Sequence, residues 1–305
     1  MIGNFYAGVH GYADDLLFIC PSRSGLQEML DIASKYAREH KVSFSTDIRP
    51  EKSKTKGMVF SDRKIRYDPE PLRLDGNPLP WVEKSKYLGN KLTGQMNGFS
   101  DDIREKRARF IERNCELNQE FSFAHPAVKS NINRIYNSSF PGSVLWDMSL
   151  PISEMIVNTW SVAVRHMWGL PYNAHRYLME ELGGTHARTM LICRYVKFIH
   201  FIKKSTKLGV QFLYQKVKNN VNTVTGKNIA FVLNATGYGN IEEVDVNAVK
   251  KEMKFCECLE ENRWKVDFVK EIVNLKFNVL FLNNEEENAF DDEELNEILE
   301  FISTS

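Results

Sequence analysis

The sequence predicts an α+β fold, with short strands and one helix over residues 1–95 and helices beyond. Three features carry that expectation. Two short apolar runs, 5–9 and 16–20, flank Gly11-Tyr12-Ala13-Asp14-Asp15 and predict a β-hairpin. Pro69, Pro71, Pro78 and Pro80 surround Asp75-Gly76-Asn77 and mark a turn-rich hairpin ending at Tyr87-Leu88-Gly89. After Gly98 the texture changes to long runs of helix-formers, divided by Pro126, Pro141, Pro151 and Pro171. With 305 residues, 43% of them hydrophobic, the chain can bury more than one core.

Ser24-Gly25-Leu26-Gln27 reads as a capping box opening the first helix. Leu26, Met29, Leu30, Ala33, Tyr36 and Ala37 then fall on one helical face, a core-packing stripe. Val42-Ser43-Phe44 and Met58-Val59-Phe60 alternate like strands. Ser100-Asp101-Asp102 offers an N-cap and favourable charge for a second helix, whose buried side would use Phe110, Ile111 and Leu117. Trp160 and Trp168 belong to an apolar segment between Pro151 and Pro171. Residues 219–240, rich in Gly, Asn and Thr, read as a linker, and the remainder as an acidic helical tail.

The formal net charge is zero but unevenly spread. Residues 23–113 carry 20 Lys+Arg against 14 Asp+Glu, 114–241 carry 13 against 6, and 242–305 carry 7 against 18. A basic body permits contact with phosphate without proving it. Cys20, Cys115, Cys193, Cys256 and Cys258 have no zinc-site spacing and are expected as reduced, mostly buried thiols. His166 and His175 are expected to be structural. No apolar run approaches membrane-spanning length and no signal core opens the chain, so an intracellular protein, cytoplasmic or nuclear, is expected. No Walker loop, dinucleotide fingerprint or catalytic triad is present.

The chemistry-bearing segment is Tyr12-Ala13-Asp14-Asp15. Adjacent acids in a turn are ordinarily solvated turn formers. Here the flanking runs read as too apolar for a surface, and two carboxylates on one stiff turn invite a divalent cation such as Mg²⁺. An ordered series follows: Gly25-Leu26-Gln27, Phe44-Ser45-Thr46-Asp47, Lys52-Ser53-Lys54-Thr55-Lys56-Gly57-Met58-Val59-Phe60 and Lys86-Tyr87-Leu88-Gly89. This order resembles motifs C, D and E of the reverse-transcriptase palm of non-LTR (LINE-type) retrotransposons. Leu145-Trp146-Asp147, Trp160-Ser161-Val162-Ala163-Val164-Arg165 and Leu170-Pro171 are similar to the region downstream of that polymerase. The likeness covers residues 1 to about 205.

The resemblance implies a partial palm over 1–95, a helical thumb and post-polymerase region over 96–218, and a linker with an acidic tail over 219–305. It implies RNA-directed DNA polymerisation with Mg²⁺ or Mn²⁺, template RNA, a DNA primer and deoxynucleotides. Asp14 would be the principal metal-binding carboxylate, with Asp15 in a weaker role. Tyr12 would pack near the primer end. Lys52 would act on the leaving pyrophosphate, its alternative being a solvated loop lysine. Tyr87 and Gly89 would belong to the primer grip, although a buried turn accounts for them equally well. Arg104 and Arg107, with Lys106, Arg109 and Arg113, would follow the phosphates of an RNA–DNA duplex, or form an ordinary solvated face.

A complete palm also needs an aspartate on a strand preceding this hairpin, together with the fingers, and thirteen residues precede Asp14. The chain is therefore expected to be the part of such a polymerase downstream of that strand, inactive alone and dependent on a polypeptide that supplies the rest. The alternative is a non-catalytic nucleic-acid-binding or interaction protein of the same descent.

Overall fold

The computed structural model describes residues 8–61, 70–94, 99–138, 140–174, 179 and 182–250. Their architecture is α+β, with three separate two-stranded antiparallel hairpins and a helical body. The first hairpin joins β1 (Val9–Tyr12) to β2 (Asp15–Phe18), and α1 (Arg23–Glu39) follows. The second joins β3 (Leu72–Leu74) to β4 (Asn77–Leu79), and the third β5 (Lys84–Tyr87) to β6 (Asn90–Thr93). Both later turns have two residues, with positive φ at Asp75 and Gly76 and at Leu88 and Gly89. That pattern matches the right-handed twist of the flanking strands.

The expected helix α1 forms, but Ser22 caps it, its hydroxyl accepting from the Gly25 amide. Gln27 is therefore free to behave as a strand partner. Its amide donates to the Arg73 carbonyl and accepts from the Arg73 amide, both at 2.8 Å, docking α1 on β3. Leu30 packs with Leu72, Leu74 and Leu79 in a small core that Phe18, Leu26, Phe44 and Trp81 border. The helix buries Leu30, Ser34 and Ala37, whereas Tyr36 is exposed, so the core-facing stripe is narrower than its periodicity implied.

Val42-Ser43-Phe44 and Met58-Val59-Phe60 are not strands. The Val42 amide instead closes the end of α1 on the Ala37 carbonyl. Beside the second segment, Gly57 bridges to Trp81 through bonds to the Pro80 carbonyl and the Val82 amide, and the Ser61 amide bonds the Gly94 carbonyl. Alternation over three residues is too short to dictate pairing when turns and loops satisfy the same groups.

The helical body contains α2 (Ser100–Glu120), α3 (Pro126–Ile132), α4 (Pro151–Trp168), α5 (Ala187–Lys204), α6 (Leu208–Val217) and α7 (Val224–Thr236). A π-helical turn, Asn133–Asn137, follows α3. The main core gathers Ile103, Phe110 and Leu117 of α2 with Trp146, Trp160, Ile192 and Val196. Ile111, expected inside, is exposed. Ser100 lies within α2, which has Phe99 at its N-cap with φ 64°. The segment expected as a linker holds α7, capped by Thr223 and ended by Gly237 in the left-handed region. Asn228, fully buried, makes α7 integral: its amide donates to the Trp146 carbonyl (2.7 Å) and accepts from the Met148 amide (2.8 Å). Of the cysteines expected inside, Cys193 is buried, Cys20 half-buried and Cys115 exposed, while Cys256, Cys258, His175 and the acidic tail lie outside the described residues.

One buried ion pair ties the third hairpin to this body. Asp102 and Lys106, one helical turn apart on α2, are 2% and 8% exposed and meet at 2.8 Å. The Asp102 carboxylate also accepts from the Lys91 amide and the Trp146 indole, each at 2.8 Å. The Lys106 ammonium donates in addition to Asn90 Oδ1 (2.7 Å) and to the Pro141 carbonyl. All three ammonium protons therefore have acceptors, as a buried lysine requires.

Asp102→Ala would leave Lys106 buried without its counter-charge, so we expect a loss of about 3–5 kcal/mol in stability by urea denaturation. Asp101→Ala removes pairs from a half-buried carboxylate to the exposed Arg104 and Lys84, and should cost about 1 kcal/mol or less. Equal losses in the two variants would show that the buried pair does not organise the fold.

Candidate metal and nucleic-acid site

Tyr12 and Asp15 are paired across the first hairpin and close a two-residue turn of Ala13 and Asp14. The turn places Ala13 at φ 53°, a left-handed conformation costing a non-glycine residue about 1 kcal/mol or more. The result projects the side chains outward. Tyr12, Asp14 and Asp15 are all exposed, and neither carboxylate has an ion-pair or hydrogen-bond partner among the described residues.

The flanking strands are not buried, contrary to their composition. Val9, Leu16 and Ile19 are exposed, and only Leu17 and Phe18 of β2 are partly covered. The sheet has two strands, and no described strand pairs with either outer edge. Apolar side chains can be covered only by what packs on them, and here Phe18 alone reaches the small core.

Lys52 is exposed in a turn whose Arg49 carbonyl accepts from the amides of Lys52 and Ser53, both at 3.0 Å. Ser53 is buried, its hydroxyl donating to the Thr55 carbonyl and accepting from the Asp47 amide. Arg49 forms a two-toothed pair with Asp47 at 3.0 and 2.8 Å. These hydrogen bonds, with a smaller electrostatic contribution from Lys52, hold the Asp47 carboxyl far below the usual carboxylate range. Lys52 makes no ion pair with Asp14 or Asp15. Its side chain is exposed, with a small electrostatic effect on Asp47.

Tyr87 and Gly89 sit at the tip of the third hairpin, Tyr87 half-buried and Gly89 exposed. The buried-turn account of them does not hold. The cations of α2 are largely engaged. Arg104 meets Asp101 at 3.2 Å, Arg109 meets Glu105, and Lys91 meets Glu105 at 3.5 Å. Arg107 donates to the Thr159 hydroxyl at 2.7 Å, joining α2 to α4. Lys106 is buried and cannot reach a phosphate backbone. Arg113 is the member of this set that stays exposed with no partner among the described residues. His166, expected to be structural, is bonded to Asn118 at 3.1 Å.

For Mg²⁺ or Mn²⁺ the described residues offer two neighbouring carboxylates on one turn. No group of three or more His, Cys, Asp or Glu side chains among the described residues could hold a metal ion. The turn can supply one wall of a site, and the described residues do not complete it.

No protein-family model matches the chain, no curated protein matches it, and no solved structure matches it. Among the described residues no helix is long and apolar enough to cross a membrane.

Two hollows lie elsewhere, and the sequence reading missed both. One of about 440 Å³ lies between the end of α5 and α6, with Lys203, Phe212 and Tyr214 in its wall. The other, of about 180 Å³, is lined by Arg134, Ser138, Arg194, Lys197 and Lys250 among others. The available signal was a stretch free of acid: between Leu182 and Ile241 the sequence holds nine lysines and arginines and no aspartate or glutamate.

Arg49→Ala should move the Asp47 carboxyl titration, followed by carbon NMR, upward toward ordinary values. Because the folded-state pKa lies below the unfolded one, the pair stabilises at neutral pH and its contribution disappears as pH falls through the folded value. An unchanged midpoint would disprove the stated cause.

Proposed function

We propose that this chain carries the hairpin wall of an RNA-directed DNA polymerase of the non-LTR-retrotransposon type, and that it does not polymerise alone. One observation carries the reading: Tyr12-Ala13-Asp14-Asp15 forms the tip of a β-hairpin with both acids outward and unpaired among the described residues. The order of the elements is compatible with it. A helix follows the hairpin, then the Lys52 loop, then the hairpin bearing Tyr87 and Gly89, and then the long helix α2. Template RNA, a DNA primer and deoxynucleotides would be its substrates, and Mg²⁺ or Mn²⁺ its ion.

Two-metal phosphoryl transfer requires carboxylates that face each other across the reacting phosphate. Asp14 and Asp15 share one turn, so the opposite wall must come from a polypeptide segment other than those described. Misplacement by about 1 Å can cost roughly a hundredfold in rate, and an absent wall costs far more. The exposed Val9, Leu16 and Ile19 give that segment an apolar strand surface to cover.

A second reading, a non-catalytic nucleic-acid-binding protein, draws on the acid-free run of cations between Leu182 and Ile241. Primer extension on an RNA template separates the two. We expect no synthesis by this chain alone with either ion. We expect synthesis when a polypeptide bearing the missing palm strand and fingers is added, and its loss in Asp14→Ala. Complemented activity indifferent to Asp14→Ala would eliminate the polymerase reading. Asp14-dependent synthesis by the chain alone would refute the incomplete wall.

A further inference from the structure

The smaller hollow has the construction of an anion site. It lies beside the π-helical turn Asn133–Asn137, where the Ser138 amide reaches back five residues to the Asn133 carbonyl at 2.9 Å. Such turns insert one residue into a helix and re-aim the side chains around it, often at functional positions. Here Arg134 and Ser138 both line the hollow. Ser138 is 2% exposed and its hydroxyl has no hydrogen-bond partner among the described residues. Burial has cut this hydroxyl off from water, and a ligand accepting its proton would satisfy it.

Among the described residues the charge around that hydroxyl has one sign. Arg134, Arg194, Lys197 and Lys250 line the hollow, and no acidic residue does so among the described residues. Arg194 donates to the Ser138 carbonyl at 3.1 Å, which fixes its guanidinium beside the serine. Burial pushes its pKa below the ordinary value, the cost of a cation losing water. Arg134 is exposed and has no ion-pair partner among the described residues.

Two consecutive glycines, Gly183 in the lining and Gly184 beside Arg134, leave room for the hollow. A β-carbon on Gly183 would come within 2.6 Å of Val164 and 3.1 Å of Trp160. One on Gly184, at φ 82°, would come within 3.1 Å of Arg134 Cδ. The loop can close on α4 and lie under the Arg134 stem only without side chains.

Size limits the ligand. A hollow of about 180 Å³ falls below the roughly 300 Å³ of a small-molecule pocket. It suits one phosphate group with some water and leaves a base or sugar outside.

We propose that Arg134, Ser138, Arg194, Lys197 and Lys250 form a binding site for a phosphate dianion, free or at the end of a phosphate monoester. Guanidinium and ammonium donors with a hydroxyl match its oxygens, and a dianion meets the concentrated positive charge better than a diester with one charge. The site does not rest on the polymerase reading, and either can fail without the other.

Titration calorimetry on the full chain at low salt tests it, with inorganic phosphate, ribose 5-phosphate and a 5′-hydroxyl oligonucleotide as probes. We expect saturable one-to-one binding of inorganic phosphate, weakened about tenfold or more in Arg134→Gln and unchanged in Lys216→Gln, outside the hollow. Ribose 5-phosphate binding tighter than phosphate identifies a monoester as the source, and the reverse identifies the free ion. Lys197→Gln, at an exposed position, provides the same test should Arg134→Gln not fold. Absence of saturable binding, or weakening by Lys216→Gln as large as by the hollow's variants, would overturn the site. An oligonucleotide that displaces phosphate as well as the monoester does would overturn the dianion assignment.

Discussion

The body of this protein is organised around a carboxylate and an ammonium that water scarcely reaches. Asp102 and Lys106 could not remain charged in the interior without full hydrogen bonding, and that demand recruits three parts of the chain. The third hairpin supplies Asn90 and the Lys91 amide, α2 supplies the pair, and residues 140–148 supply the Pro141 carbonyl and the Trp146 indole. Asn228 then holds the other side of Trp146 through its carbonyl and grips the Met148 amide. A polar network of this kind fixes relative placement more narrowly than apolar contact, because each donor has one acceptor in reach. It also removes Lys106 from any role at the surface.

The first hairpin lacks such an anchor. Among the described residues its two acids are unpaired, its apolar strands are mostly exposed, and Phe18 links it to the small core. A catalytic constellation needs its ligands held closely by a supporting shell, and an isolated two-stranded ribbon cannot provide one. The chemistry implied by Tyr12-Ala13-Asp14-Asp15 therefore depends on surroundings that the described residues do not supply.

Charge follows a similar division. On α2 three of the cations, Arg104, Lys106 and Arg109, are matched by Asp101, Asp102 and Glu105 at helical spacing, which lowers the field the helix presents. On α5 and around the π-helical turn no acid is interleaved, and positive charge gathers at a hollow. A formal net charge of zero conceals both arrangements. The capacity to meet an anion is therefore local, a property of one concavity and not of the basic body as a whole.

Local patterns were legible in the amino-acid order. The apolar runs around Tyr12-Ala13-Asp14-Asp15 and the Asp75-Gly76 dipeptide located two hairpins, because turn chemistry acts within four residues. Helical periodicity identified Leu30 and Ala37 on α1 and Phe110 and Leu117 on α2 as core residues. It could not foresee that Ser22 and not Ser24 caps α1, since Gln27 is drawn instead to the Arg73 backbone, 46 residues away. Nor could it show that Lys106 is buried, because its environment is made with Trp146, 44 residues beyond Asp102. The polar composition of 219–240 concealed α7, whose one decisive polar side chain, Asn228, faces the core. Sequence alone determined the turns at Tyr12–Asp15 and Asp75–Gly76 and the coiling of α1 and α2, for these depend on neighbours along the chain. Tertiary structure decided which charges are buried, which acids remain free and where cations converge, because those depend on neighbours in space.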